Sequence, residues 1–192
     1  MKNLLFLLLF GIFISCTKLS PKEKELQVSL NKNLNLQLSE TVRQANTVMP
    51  FNEFRQQFNH ISVVYLQNGC NPCYPKFIEW QNKVDSLDTP FDYTVLFIIG
   101  GEEYSEFMKN VLDIEYVEDK FYTIMDSEFR FLENNKDIPR WIIDSSILID
   151  SENKIKMVGA PWINEDMTKL FYEIMSMGEK RGCNIPLKRK HN

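Results

Sequence analysis

A junction constrains this chain more than any other feature. Ile61-Ser62-Val63-Val64-Tyr65-Leu66, an apolar run of strand length, closes in the turn residues Gln67-Asn68-Gly69 and delivers Cys70-Asn71-Pro72-Cys73 to the start of a helical pattern. Beyond the cysteines, Phe77, Trp80, Val84 and Leu87 recur at spacings of three, four and three, which places them on one stripe of a helix. Pro75 is compatible with that helix because a first-turn residue has no intrahelical use for an N–H. The chain must therefore leave a buried strand and enter a packed helix within a few residues, holding two thiols between them.

The same alternation continues along the sequence. Pro50 opens a short helical pattern with Phe51, Phe54 and Phe58 on one face, just before the first strand. Tyr93 to Ile99 is a second buried strand, Gly100-Gly101 a break, and Tyr104, Phe107, Met108, Val111 and Leu112 a second helical face. Phe121 to Met125 reads as a third strand, followed by a short helix through Phe129 and Leu132 and a loop holding Pro139. Ser145 to Asp150 and Lys154 to Val158 flank Ser151-Glu152-Asn153 as a hairpin, and Ile163, Met167, Leu170, Phe171 and Ile174 mark a closing helix. Strand, helix, strand, helix, strand, hairpin, helix is an α/β order that mixes parallel crossovers with one antiparallel hairpin. It implies a central mixed sheet with helices on both faces and a C-terminal β-hairpin plus helix.

The N-terminus has a different character. Lys2 precedes an apolar run from Leu4 to Ile14 that ends at Ser15-Cys16. The run falls short of the roughly 20 residues a membrane-spanning helix needs and matches the apolar core of an export signal. Phe13-Ile14-Ser15-Cys16 resembles a bacterial lipobox, with Phe13 in place of the usual Leu. The resemblance implies a lipoprotein signal peptide over 1–15, acylation of Cys16, and a membrane-anchored protein of the cell envelope facing the periplasm. The alternative is an ordinary signal peptide in which Cys16 is incidental. Residues 16–48, rich in Lys, Glu, Asn, Gln and Ser, read as a lipid-anchored tether leading into short N-terminal strands. Leu26, Val28, Leu30, Leu34, Leu36 and Leu38 alternate there. The folded domain is expected over 49–180, and Lys188-Arg189-Lys190-His191 lies in a basic tail over 181–192. A formal net charge of -4 gives no reason to expect nucleic acid as a partner.

With Cys16 on lipid, Cys70, Cys73 and Cys183 remain for an oxidising compartment, one close pair and a spare thiol. Strand, CxxC and helix, followed by Ile147-Leu148-Ile149-Asp150, a turn, Lys154-Ile155 and Gly159, resemble the thioredoxin superfamily. Within it the likeness is to the membrane-anchored bacterial thiol–disulfide oxidoreductases of the TlpA and ResA kind. The resemblance spans roughly 50–178 and implies a thioredoxin-like three-layer fold acting on protein thiols and disulfides of the envelope, with no cofactor. A Cys at a helix N-terminus has its thiolate stabilised by the helix field and unpaired N–H groups, so Cys70 is the nucleophile. Cys73, further along the first helical turn, then displaces the mixed disulfide as resolving thiol.

Three departures from the family pattern stand beside this. Gly69 occupies the position where thioredoxins usually place Trp, Ile61 to Gln67 contains no Asp or Glu, and Ser145-Ser146 fills the stretch where a cis-Pro belongs. The nearest proline, Pro139, reads as an ordinary trans residue. They sustain a rival reading, a thioredoxin-like lipoprotein that serves as a non-catalytic binding module with a structural or vestigial CxxC. Peroxide reduction is a third reading, against which the chain lacks the peroxiredoxin Pro and Thr ahead of the first Cys. A single CxxC, with His60 and His191 far from any recurring ligand spacing, does not supply the four ligands of a zinc site. Trp80 and Trp141 read as packing residues, and His60 as a turn residue. Replacing Cys16 by Ala is expected to abolish incorporation of radiolabelled fatty acid. Unchanged labelling would remove Cys16 as the acceptor.

Overall fold

A computed structural model describes residues 19–182. The stretch expected to be an export signal, Cys16, Cys183 and the basic cluster at 188–191 lie outside the described residues. Seven strands form one sheet: β1 (Thr41–Gln44), β2 (Thr47–Pro50), β3 (His60–Gln67), β4 (Tyr93–Gly100), β5 (Tyr122–Asp126), β6 (Ile147–Ile149) and β7 (Ile155–Val158). Their spatial order is β2-β1-β5-β4-β3-β6-β7. β3, β4 and β5 are parallel, whereas β1 and β2 on one side and β6 and β7 on the other are antiparallel to their neighbours. This is the mixed sheet expected from the order of elements.

The helices are α1 (Pro21–Ser29), α2 (Phe51–Gln57), α3 (Cys73–Lys83), α4 (Tyr104–Leu112), α5 (Arg130–Asn134), α6 (Arg140–Ser145) and α7 (Glu165–Gly182), with a 3-10 turn at Val84–Ser86 after α3. The pleat sends alternate strand residues to opposite faces and so makes two cores. Ile61, Val63 and Tyr65 of β3 meet Leu96 and Ile98 of β4 beneath Phe54, Phe131 and Ile142, from α2, α5 and α6. Val64 and Leu66 meet Val95, Phe97 and Ile99 beneath Phe77, Phe107 and Phe171, from α3, α4 and α7. The result is three layers with helices on both faces. Trp80 and Val84 are buried on the sheet side while Glu79 and Lys83 are exposed, as the apolar stripe requires.

The segment expected to be a tether behaves differently. Ser20 caps α1 through a reciprocal pair of bonds with Glu23, and Pro21 opens the helix. Leu26 and Leu30 pack against the first core, and Trp141 of α6 donates its indole N–H to Glu25 at 2.6 Å. After α1 the alternating leucines Leu34, Leu36 and Leu38 are fully buried, and the chain turns at the last of them, where Leu38 N–H donates to Leu36 O at 2.9 Å. They make no ladder beyond a single bridge between Asn33 and Lys154. The strands lie later, at 41–50, and the packed unit begins well before residue 49. Two smaller corrections apply: Pro139 caps a helix, α6, instead of lying in a plain loop, and α7 reaches Gly182, two residues into the expected tail.

No helix among the described residues is long and apolar enough to cross a membrane. Val84 is 4% exposed within the second core, so Val84→Asp places a carboxylate without a partner among apolar side chains. This is expected to cost about 3 kcal/mol or more, read as a fall in the thermal midpoint, while Lys83→Asp on the exposed face stays near wild type.

Candidate functional site

The pair stands where β3 ends. The Asn68 N–H donates to Gly100 O at 2.8 Å, so the chain leaving β3 is still anchored to the end of β4. Gly69 follows with φ +76°, a left-handed conformation that side-chain-bearing residues resist, and open space surrounds the position a Cβ would take. Backbone conformation, not crowding, therefore demands the glycine. The Cys70 N–H donates to Gln67 O at 3.2 Å and the Cys73 N–H to Cys70 O at 2.9 Å, which winds the chain into α3. Pro72, with φ -72° and ψ -12°, caps the helix from its N-terminal side. The Cα atoms of Cys70 and Cys73 are 5.3 Å apart, within the usual range, and the two sulfurs form a disulfide.

Polar side chains brace this turn. Tyr74 buries its ring against Phe107, with centroids 5.2 Å apart, and brings its hydroxyl back under the loop. There the hydroxyl accepts from Gly69 N–H at 2.8 Å and from Asn110 Nδ2 at 3.1 Å, and donates to Asn68 Oδ1 at 3.1 Å. Asn68 Nδ2 donates in turn to Glu106 Oε2 at 2.8 Å. With two bonds accepted and one donated, the phenol is saturated, and the loop before Cys70 is fastened to α4.

Cys73 packs against the core shared by α3, α4 and α7, and Gln67 N–H approaches its sulfur at 3.4 Å. Asn71 and Pro72 between the two cysteines are exposed, while Cys70 and Cys73 are both half-buried. One turn beyond Cys73, Lys76 is partly buried and donates from Nζ to Asp144 O at 2.7 Å. Burial pushes its amine down to about 8, against the opposing pull of Asp144 and Glu79. Asp144 lies near the end of α6, which packs on β3, so the corner leading into β6 stands beside the pair.

That corner contains Ser145 and Ser146. Ser146 has φ +83°, is buried, and has no partner for its hydroxyl among the described residues, while its carbonyl accepts from Gly159 N–H at 3.0 Å. No described peptide bond is cis, and Pro139 is the N-cap of α6. Further along α3, Trp162 meets Trp80 edge-on at 4.6 Å and donates its indole N–H to Glu79 at 2.7 Å.

The structure thus brings Cys70 and Cys73 together and leaves His60 apart. His60 opens β3 at the end away from the pair, roughly 20 Å off at the usual strand rise, and burial lowers its basicity. Trp80 and Trp141 are both packing residues that also donate or stack at helix contacts. Among the described residues no three His, Cys, Asp or Glu side chains gather as metal ligands. Sequence reasoning missed Tyr74, Asn110 and Lys76, and it noted Ser146 only as standing where a cis-Pro belongs, without its left-handed backbone. Only Lys76 carried a local signal, its three-residue spacing from Cys73 on one helix.

No protein-family model matches the chain, and no curated protein matches it in sequence. Solved structures do match in shape. A Chlorobium tepidum protein assigned as thiol:disulfide interchange protein DsbE superposes with TM-score 0.52 at 13% identity, covering 76% of this chain and 97% of that one. A protein assigned to electron transfer from Aquifex aeolicus gives 0.51 at 14% identity, covering 78% and 97%. Yeast mitochondrial 1-Cys peroxiredoxin gives 0.53 at 12% identity, covering 84% and 82%. At such identities the likeness concerns the fold. A mixed sheet layered between helices, with a CxxC disulfide where β3 passes into α3, gives this chain a thioredoxin-like fold.

Proposed function

We propose that the protein is a membrane-tethered thiol–disulfide oxidoreductase of the cell envelope, acting on protein disulfides through Cys70 and Cys73. The observation that carries this reading is the disulfide at the β3–α3 junction, between Cys70 in the turn before the helix and Cys73 packed against the second core. The shape-related proteins assigned to disulfide interchange and electron transfer support the same reading. The lipobox-like Phe13-Ile14-Ser15-Cys16 supports the tether, with Cys16 acylated and the domain on the periplasmic side.

In the oxidising direction of the pair, the Cys70 thiolate attacks a substrate disulfide, forms a mixed disulfide and expels one substrate thiolate. Cys73 then loses its proton and its sulfur attacks Cys70, which closes the intramolecular disulfide and expels the second substrate thiolate. Two electrons pass to the substrate. The reverse sequence oxidises a substrate dithiol by the same atoms.

Cys73 lies in the first turn of α3 and packs against the second core, whereas Cys70 lies in the turn before the helix. In the reduced protein at near-neutral pH, iodoacetamide is expected to alkylate Cys70 well before Cys73, read by peptide mass mapping. Cys73→Ser is expected to trap a mixed disulfide with a model disulfide substrate through Cys70. Equal, slow alkylation with nothing trapped would favour a binding module whose CxxC is structural.

A further inference from the structure

The first turn of α3 is poor in donors. Thiolates at helix N-termini are stabilised by unpaired backbone N–H groups, but Pro72 and Pro75 have none and the Cys73 N–H is committed to Cys70 O. Of these residues, Tyr74 alone has another to offer. The strand beneath contributes no ionisable carboxylate from Ile61 to Gln67. The Gln67 N–H, 3.4 Å from Cys73 Sγ, is the backbone donor on that sulfur, and it carries no net charge, so a cation beside the pair would favour the thiolate further.

Lys76 is placed for this. Residues three apart on a helix have Cβ atoms about 5–6 Å apart, and helical side chains lean toward the N-terminus. The surface that Lys76 covers is therefore the turn holding Cys73. Its ammonium is held by Asp144 O at 2.7 Å, near the end of α6, and the Lys76 side chain is half-buried. The charged groups facing it are Glu79 from α3 and, from α6, Asp144, which is itself paired with Arg140 at 2.8 Å.

We propose that Lys76 is the cation that stabilises the thiolate of the reduced Cys70–Cys73 pair and thereby raises the reduction potential of the couple. This deepens the oxidoreductase reading and rests on it. Lys76 acts here as a positioning residue: it bonds to no reacting atom but sets the energy of the anion that reduction leaves behind. Its proton affinity, lowered by burial in the disulfide form, recovers when a thiolate appears beside it, so each charge favours the other.

Equilibration of the full-length protein in detergent with glutathione tests this. Two glutathione thiols reduce the disulfide: the first forms a mixed disulfide, the second releases it as glutathione disulfide, and the pair gains two electrons. Of the two protons given up, one goes to a protein sulfur and one to solvent where the other sulfur stays ionised. At neutral pH, Lys76→Met is expected to shift the equilibrium about tenfold toward the disulfide, which for a two-electron couple is about 30 mV more reducing. The thiolate ultraviolet absorbance should then titrate about one pH unit higher, and Lys76→Arg should restore both readings. Lys76→Gln serves as the second neutral variant should the Met protein not fold.

A wild-type pair that exchanges with glutathione, beside neutral variants of unchanged potential, overturns the role of Lys76 alone. That role is equally overturned if Lys76→Arg shifts as far as Lys76→Met, since shape and not charge would then be responsible. A wild-type pair that does not exchange with glutathione at all overturns the oxidoreductase reading and this inference with it.

Discussion

The parallel pairing of β3 with β4 carries the rest of the structure. It runs unbroken from His60 beside Tyr93 to Gln67 beside Gly100, and all of β4 and all but the last residue of β3 are buried. Parallel strands buried on both faces allow little slippage, because a shift of one residue would exchange the two cores. The register fixes where β3 stops, and the bond from Asn68 N–H to Gly100 O carries it one residue further. The left-handed Gly69 then turns the chain so that the cysteines emerge at a set point above the sheet. Gly100 has its own constraint at this end: a Cβ there would lie 2.7 Å from the Phe129 ring and 2.9 Å from the Tyr65 hydroxyl.

Around that point the molecule separates the demands on the two sulfurs. The core side is apolar: Cys73 packs against the cluster that contains Tyr74, Phe77 and Phe107, whereas Cys70 lies in the turn before the helix. On the loop side, a saturated phenol and two asparagines hold the backbone before Cys70, with the Glu106 carboxylate accepting from Asn68 and no cation among them. The charge comes from Lys76, on the face toward the β6 corner. Tyr74 thus supports geometry and Lys76 electrostatics, two requirements of thiol chemistry that neighbouring positions on one helix can meet separately.

The segments before and after this centre act as braces. Residues 21–50 cover the face opposite α3, and Trp141 ties α1 to α6, whose far end holds Asp144 against Lys76. A segment whose composition suggested a tether is thereby linked through one short helix to the neighbourhood of the disulfide. Its capping signature, Ser20-Pro21-Lys22-Glu23, was present in the sequence, but the alternating leucines drew it toward a strand reading. That alternation is real for Leu34, Leu36 and Leu38, which are buried while Asn35 and Gln37 between them are exposed. Burial against the sheet face needs the alternation but not a hydrogen-bonded partner strand.

What the sequence determined by itself were the elements whose side chains repeat with a period: β3, β4, β5, the hairpin, and the helices α3, α4 and α7. Hydrophobic periodicity is a local consequence of facing a core, so it survives being read one residue at a time. The CxxC and its two first-turn prolines were legible for the same reason, since their spacing alone puts both thiols within bonding reach. What only the tertiary structure decided was everything that depends on distant segments meeting. Asn110 beneath the Gly69 turn, the Asp144 carbonyl on Lys76 and the strained Ser146 corner lie far along the chain from the residues they serve. No local pattern encodes such contacts, because a hydrogen bond between remote residues leaves no period in the sequence; it exists only once the sheet register has brought its partners together.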